Sequence, residues 1–194
     1  MRTRELVLLD SLFGRRKKKP PASSSLGETV RDAGVGDVFT VTGLSLDYEE
    51  SYFIVEKKNR YESFSGSSHE LLGVDGDHRV WIHWSDEGEL YVTAMAEKMP
   101  IGLEGLGLTE DELVRMDEQH SIDNSVTHEG MQFHYRNSGE AFFYQDNGVD
   151  GDGFYLWEFS GEDKLLSIDK WEDMPFQGYV SDVIEPDSIT VYKR

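Results

Sequence analysis

The sequence predicts an all-β domain of antiparallel strands with one short helix near its centre. Short runs rich in β-branched and aromatic residues recur over residues 38–192, and turns containing Gly, Asn or Asp separate them. No helical pattern alternates with these runs, which disfavours a parallel α/β sheet. In residues 131–136 apolar and polar side chains alternate, as in a half-buried strand. We therefore expect an antiparallel meander that is either barrel-like or folded as a sandwich.

The predicted elements begin with one or two helical turns, since Ser25 and Glu28 have capping-box spacing and Gly34 can end a helix. Two sets of about six strands follow. The first set comprises residues 38–42, 52–56, 61–64, 70–72, 80–84 and 90–95, and the second comprises residues 131–136, 141–144, 154–159, 165–168, 178–184 and 189–192. The predicted turns include Asn59 and residues 137–139.

The central helix is predicted after Thr109. Thr109 is a good N-cap, Glu112 stands three residues later, and Leu113 and Met116 follow with helical spacing. The Gly- and Leu-rich residues 100–108 before it are predicted to be a flexible connector. Their glycine order does not fit a dinucleotide-binding loop, and Glu104 would repel phosphate.

The two strand sets are similar in part. Residues 73–93 match residues 148–168 at a constant offset of 75, including the two Asp-Gly-Asp turns. We predict a single β domain over residues 26–194, built from two similar halves at about 35–98 and 128–193. Two unrelated hairpins with similar turns are the alternative. Residues 1–25 are predicted to be a basic tail followed by a Pro/Ser linker.

Composition and charge exclude several classes of function. The chain has 19 basic and 38 acidic residues, a net charge of −19, and residues 1–19 carry seven basic and two acidic groups, a local +5. The remaining 12 basic and 36 acidic residues give −24, which opposes binding of nucleic acid. The absence of cysteine excludes disulfides, thiolate nucleophiles and iron–sulfur sites. No apolar run reaches the ~20 residues of a membrane-spanning helix, and we expect a cytoplasmic protein.

The N-terminal tail is predicted to touch an anionic membrane surface, so the protein would be peripheral to the inner face of the membrane. Apolar side chains are followed there by a basic cluster. The candidate membrane contacts are Leu8, Leu9, Leu12, Phe13, Arg15, Arg16, Lys17, Lys18 and Lys19.

Neither the histidines nor the Asp-Gly turns predict a metal site. The zincin spacing His-Glu-x-x-His is absent. His78 and His83 are five residues apart and would point to opposite faces of a strand. The turn at residues 150–153 fails the EF-hand pattern. We expect the six histidines to lie on the surface or in turns, and we expect no bound metal or cofactor.

Glu158 and Glu172 lie beside the aromatic residues Trp157, Phe159 and Trp171. An aromatic platform with carboxylates would suit a sugar or a cationic ligand. The Gly-x-Ser-x-Gly elbow of many serine hydrolases is absent.

Aromatic and glycine positions form a recognisable pattern from residue 35 onward. The segments that carry it are Val35-Gly36-Asp37, His83-Trp84, Leu90-Tyr91-Val92, Glu129-Gly130-Met131-Gln132-Phe133, Ser138-Gly139-Glu140-Ala141, Leu156-Trp157-Glu158-Phe159, Leu165-Leu166-Ser167-Ile168-Asp169-Lys170-Trp171 and Ile184-Glu185-Pro186-Asp187-Ser188-Ile189. In this pattern the chain resembles a bacterial family of domains of unknown function, number 4178. The similarity covers about residues 30–193 and is clearest in the second half. The resemblance implies no catalytic residues. It implies a genomic context near bacterial membrane-stress genes of the phage-shock type.

These observations lead to two expectations for function. The first is a non-catalytic β module that acts through a protein partner, with an exposed apolar patch. The second is a hydrolase or small-ligand binder with an acidic, aromatic pocket, which requires a deep cavity where carboxylates or histidines converge.

Overall fold

The computed structural model describes residues 29–48, 50–85, 90–97 and 99–194. The predicted tail and linker, with the candidate membrane contacts, lie outside these residues, as does the start of the first predicted helix. Only a 3₁₀ helix, Val30–Asp32, is described there.

In the described part of the chain, strands make up most of the regular structure. They are β1 (Val38–Val41), β2 (Phe53–Ser63), β3 (Gly66–Asp75), β4 (His78–Ser85), β5 (Tyr91–Ala96), β6 (Ser125–His128), β7 (Met131–Tyr144), β8 (Asp152–Ser160), β9 (Lys164–Trp171), β10 (Gln177–Ile184) and β11 (Ile189–Tyr192). The α-helix α1 spans Glu110–Gln119, and further 3₁₀ helices are Leu46–Tyr48, Leu103–Leu106, Gln145–Asn147 and Pro186–Ser188. The predicted all-β class is confirmed.

The strands form one antiparallel sheet in the order β11-β1-β2-β3-β4-β5-β10-β9-β8-β7-β6. An additional pairing of β2 with β7, from Arg60 opposite Tyr144 to Ser63 opposite Ala141, closes eight of them into a ring. Around the ring, β3 lies opposite β9, β2 opposite β10, and β5 opposite β7. Strands β1 and β11 extend the sheet beyond β2, and β6 extends it beyond β7.

The apolar cores pack against the outer surface of the ring. On β4, Val80, Ile82 and Trp84 belong to one cluster, whereas Trp81 and His83 face the ring interior. This alternation follows from the two-residue period of a strand. Strands β1 and β11 cover the first cluster with residues such as Phe39. Apolar packing on its outer surface therefore stabilises the ring.

The second cluster packs beneath α1. Leu113 and Met116 of the helix are buried with Phe159, Leu166 and other outward residues of β7–β9. The predicted N-terminus of α1 is confirmed, because Thr109 and Glu112 form a reciprocal capping box.

No helix among the described residues is long and apolar enough to span a bilayer.

Several predicted boundaries are wrong. Asn59 and residues 137–139 lie within continuous strands, β2 and β7, because pairing with β3 and with β8, respectively, overrides their turn propensity. Bulges occur near Val55 on β2 and after Tyr135 on β7. Strand β6 was not predicted. The predicted flexible connector instead forms a 3₁₀ helix whose Leu106 is 2% exposed, because its leucines pack under α1.

The sheet order bears on the two predicted halves without deciding between the alternatives. Each half supplies four consecutive ring strands, β2–β5 and β7–β10. If the strands of each half are counted away from the β2–β7 pairing, the third strands, β4 and β9, correspond to each other. The sequence offset of 75 residues instead aligns β4 with β8. The internal duplication stays a prediction.

Candidate functional site

The ring encloses a cavity of about 280 Å³ to which all eight ring strands contribute side chains. A closed ring of about eight strands has an interior that side chains can fill or that can hold one small ligand. Here small side chains occupy several inward positions, among them Ser68, Thr93, Ala141, Ser167 and Ser181. They leave the interior open.

A buried carboxylate, Glu70 of β3, lies on one wall of the cavity. Glu70 is only 6% exposed, and it lines the cavity. Asn59 Nδ2 donates a hydrogen bond of 3.0 Å to Oε1 of Glu70, and the Tyr61 hydroxyl donates one of 3.3 Å to Oε2. Asn59 is fixed in turn, because its Oδ1 accepts from the backbone N–H of Asp146 at 3.0 Å. Glu70 is therefore held in place as a hydrogen-bond acceptor.

A second carboxylate, Asp169, stands on the opposite strand β9, and the tyrosines Tyr61 and Tyr179 stand on the facing strands β2 and β10. Burial raises the pKa of Tyr61 well above its usual value, and the negative charges of Glu70 and Asp169 raise it further. Burial, followed by the same two charges, raises the pKa of Tyr179 to about 12. Both phenols therefore sense a negative environment.

Arg136 marks the mouth of the cavity. Among the lining residues, Arg136 and Ser65 are exposed, and Ser65 lies in the turn between β2 and β3. The Arg136 guanidinium carbon lies 5.5 Å from the ring centre of Tyr91. Burial raises the pKa of the nearby Glu158 carboxyl, and the positive charge of Arg136 partly opposes that rise. The buried Glu158 carboxyl therefore lies close enough to the exposed Arg136 guanidinium to sense its charge.

His83 of β4 lines the cavity, next to the acidic wall. Its Nε2 lies 2.9 Å from Oγ of Ser68, and its ring meets Tyr61 edge-on at a centroid distance of 5.6 Å. The register places His83 directly opposite Glu70 on the neighbouring strand. The prediction that all six histidines occupy the surface or turns is therefore wrong for His83. The strand period places it on the inward face.

Apolar side chains form another part of the wall. Phe154 stacks on Trp171 at 4.3 Å between ring centres, and Tyr61 meets Phe154 edge-on at 6.2 Å. Trp81 and Met95 are cross-strand partners on β4 and β5, and both line the cavity. The interior thus combines fixed acceptors with aromatic and aliphatic surface.

The predicted acidic, aromatic platform is only partly correct. Glu158 lines the cavity, but Trp157 and Phe159 point outward into the second apolar cluster, because neighbouring strand residues face opposite sides. Trp171 stands behind Phe154, and Glu172 is exposed. Glu70, Asp169 and Arg136 were not predicted from the sequence. The inward alternation of polar residues on β3, β4 and β9 was the signal available for the two carboxylates.

The other candidates are distributed as follows. Over the ranges that the structure describes, no group of three or more His, Asp or Glu side chains is placed to hold a metal ion. His120 ends α1 with a left-handed backbone, and its Nδ1 lies 2.7 Å from the Tyr135 hydroxyl. The Tyr155 hydroxyl donates one bifurcated hydrogen bond to Asp117, with its oxygen 2.9 and 3.0 Å from the two carboxylate oxygens. These contacts fasten α1 to the outer face of the ring, away from the cavity.

One comparison with known proteins gives a match. The family model described as "Domain of unknown function (DUF4178)" matches residues 42–186. The match spans all eight ring strands, β6 and α1, and leaves out the outer strands β1 and β11. No curated protein and no solved structure matches the chain.

Proposed function

The chain belongs to the DUF4178 family, and from this premise we propose that it is a small-molecule-binding module whose ligand lies inside the strand ring. One observation carries the proposal: a cavity of about 280 Å³ in an interior that larger side chains would fill. Unfilled interior space lowers stability. A lining of Ser, Thr and Ala at the inward positions is therefore the arrangement expected of a binding site.

The cavity supports the second of the two expectations from sequence. It lies inside the ring, and it brings together carboxylates, a histidine and tyrosines with raised pKa values. We propose binding and not a reaction, because both oxygens of Glu70 accept hydrogen bonds from neighbouring side chains. Such bonds hold the carboxylate in one position as an acceptor.

A fluorine NMR experiment tests this proposal. The chain has four tryptophans, and Trp81 is the one that lines the cavity. The full chain labelled with 5-fluorotryptophan is mixed with small polar compounds of positive, negative and zero charge, and the Trp81 signal is assigned with W81F. We expect at least one compound to shift that signal saturably.

Two further variants locate the binding. S167F adds a ring inside the cavity and should abolish the shift, whereas Q132F adds the same ring at an exposed position of β7 and should preserve it. A melting curve shows that each variant is folded. If no compound shifts the Trp81 signal, or if S167F binds as the wild type does, the proposal is wrong.

The N-terminal tail supports a second function, attachment to an anionic membrane surface. The observation is the charge separation in the sequence, +5 over residues 1–19 against −24 over the rest. The basic cluster would be attracted to anionic lipid, while the acidic body would stay away from it. Attachment would bring the ring to the membrane, and a protein partner could join it there.

A further inference from the structure

We propose that the ligand is a small organic cation, an alkylamine or alkylguanidine, whose charged head lies between Glu70 and Asp169. This inference rests on the proposed function and names the chemical class that the cavity selects. Glu70 and Asp169 stand on opposite strands of the ring, β3 and β9, and both affect the same two tyrosines. A cation between them would interact with both carboxylates at once.

The charge of the lining favours a cation. Its acidic side chains are Glu70, Glu158 and Asp169, and Arg136 contributes a guanidinium. Counted at their formal charges, these groups give −2 with His83 neutral and −1 with His83 protonated. In an interior of low dielectric constant a net negative charge attracts a cation strongly and disfavours an anion. The preference for a positive ligand therefore holds in either state of His83.

The surfaces around the carboxylates suit an ammonium or guanidinium group with N–H donors. Ser167 and Thr93 offer further hydroxyl acceptors in the cavity, and the rings of Tyr61, Tyr179 and Trp81 offer aromatic faces. Cations are attracted to aromatic faces, most strongly where water is excluded. The N–H donors of the ligand head would find acceptors, and its positive charge would be stabilised by the carboxylates and the aromatic rings.

The remaining wall suits a short hydrocarbon chain. Met95, Leu156 and Phe154 line the cavity together with Trp81. A volume of about 280 Å³ equals roughly nine water molecules at ~30 Å³ each. The cavity therefore has room for a small ligand with an alkyl chain of a few carbons.

Matched compounds of one chain length test the ligand class. The full chain labelled with 5-fluorotryptophan is titrated with n-butylamine, 1-butanol and butyrate, which are positive, neutral and negative at pH 7. We expect butylamine to shift the Trp81 signal saturably, and the alcohol and the acid to bind at least about tenfold more weakly. Butylguanidine should bind as butylamine does.

Charge-neutralising variants test the two carboxylates. E70Q and D169N each remove one negative charge from the cavity, and E118Q removes one from the exposed face of α1. Hydrogen bonds to charged groups predict a loss of about tenfold or more in butylamine affinity for D169N. E70Q should show a similar loss, and E118Q should bind as the wild type does. If E70Q does not fold, D169N against E118Q decides the question alone.

The possible outcomes distinguish failure of the cation class from failure of the proposed small-molecule binding. If butanol or butyrate shifts the Trp81 signal as strongly as butylamine, and S167F abolishes that shift, the cavity binds ligands but the cation class is wrong. Binding of butylamine that D169N leaves unchanged also overturns the class. If no compound of any charge shifts the Trp81 signal, both proposals are wrong.

Discussion

Arg136 and Tyr91 belong to opposite walls of the ring, β7 and β5, and the guanidinium carbon of Arg136 lies 5.5 Å from the centre of the Tyr91 ring. The contact reaches across the mouth of the cavity beside the exposed Ser65. At exposed sites a cation–π contact contributes only about 0.5–1 kcal/mol. Breaking this one contact would therefore cost little free energy.

The first prediction concerns the charge at this mouth. R136Q should raise the pKa of Glu158 further, because the positive charge that opposes the effect of burial is lost. The pKa is measured by ¹³C NMR titration of the glutamate carboxyl, with E158Q for assignment. R115Q, which removes an exposed arginine from α1, is the control. A Glu158 pKa that is the same in R136Q and the wild type contradicts the prediction.

The second prediction concerns close packing at Gly73 on the outer face of the ring. A Cβ there would lie 2.4 and 2.6 Å from two ring atoms of Phe39 and 2.8 Å from Cβ of Phe53, both fully buried. G73A should therefore lower the free energy of unfolding by about 1–3 kcal/mol, measured by urea denaturation. G153A is the control, since its Cβ would meet Phe142 at an ordinary 3.6 Å. Equal midpoints for G73A and G153A would exclude this packing.

The third prediction concerns alkaline pH. Burial and nearby carboxylates raise the pKa of Tyr179 to about 12 and that of Tyr61 well above its usual value, whereas tyrosine in the unfolded chain titrates near 10. The folded state then holds more protons above pH ~10, so stability from these groups is complete below pH ~10 and is lost as the pH rises toward 12. Y179F should lose less stability than the wild type between pH 9 and 11.

Urea midpoints at the two pH values measure this difference. Y192F changes an exposed tyrosine on β11 and serves as the control. If Y179F loses as much stability as the wild type over this interval, Tyr179 does not titrate from within the folded ring as described.

The fourth prediction concerns the tail. Residues 15–19 are five consecutive basic residues, and each basic residue near an anionic bilayer contributes about 1 kcal/mol. The full chain should co-sediment with anionic liposomes at low salt, more weakly at high salt, and not with neutral lipid. A variant with residues 15–19 changed to Ser should not pellet. Equal pelleting of the two proteins, or none by the full chain, removes the membrane proposal.

Local signals predicted the strands and the helix well. The capping-box spacing of Thr109 and Glu112 located the start of α1, and alternation around Phe133 located the beginning of β7. Such features depend on residues close in sequence, where propensity and period act directly. The turn assigned at Asn59 failed, because pairing with β3 extends the strand through it.

The cavity could not be predicted because it depends on closure of the ring. Ser63 of β2 pairs with Ala141 of β7, which lies 78 residues later. Alternation shows that Glu70 and Asp169 face away from the apolar clusters, but a polar face usually meets solvent. Only the β2–β7 pairing turns that face into an interior wall and makes the two carboxylates neighbours across it.

The apolar clusters outside the ring separate the residues that stabilise the fold from the residues that would meet a ligand. Trp84 and Phe159 pack outward, while Thr93 and Ser167 face the cavity. Inward side chains can therefore be exchanged while the outward packing that supports the ring stays unchanged. In protein design, the shape and charge of the cavity could be altered without repacking the core that supports the ring.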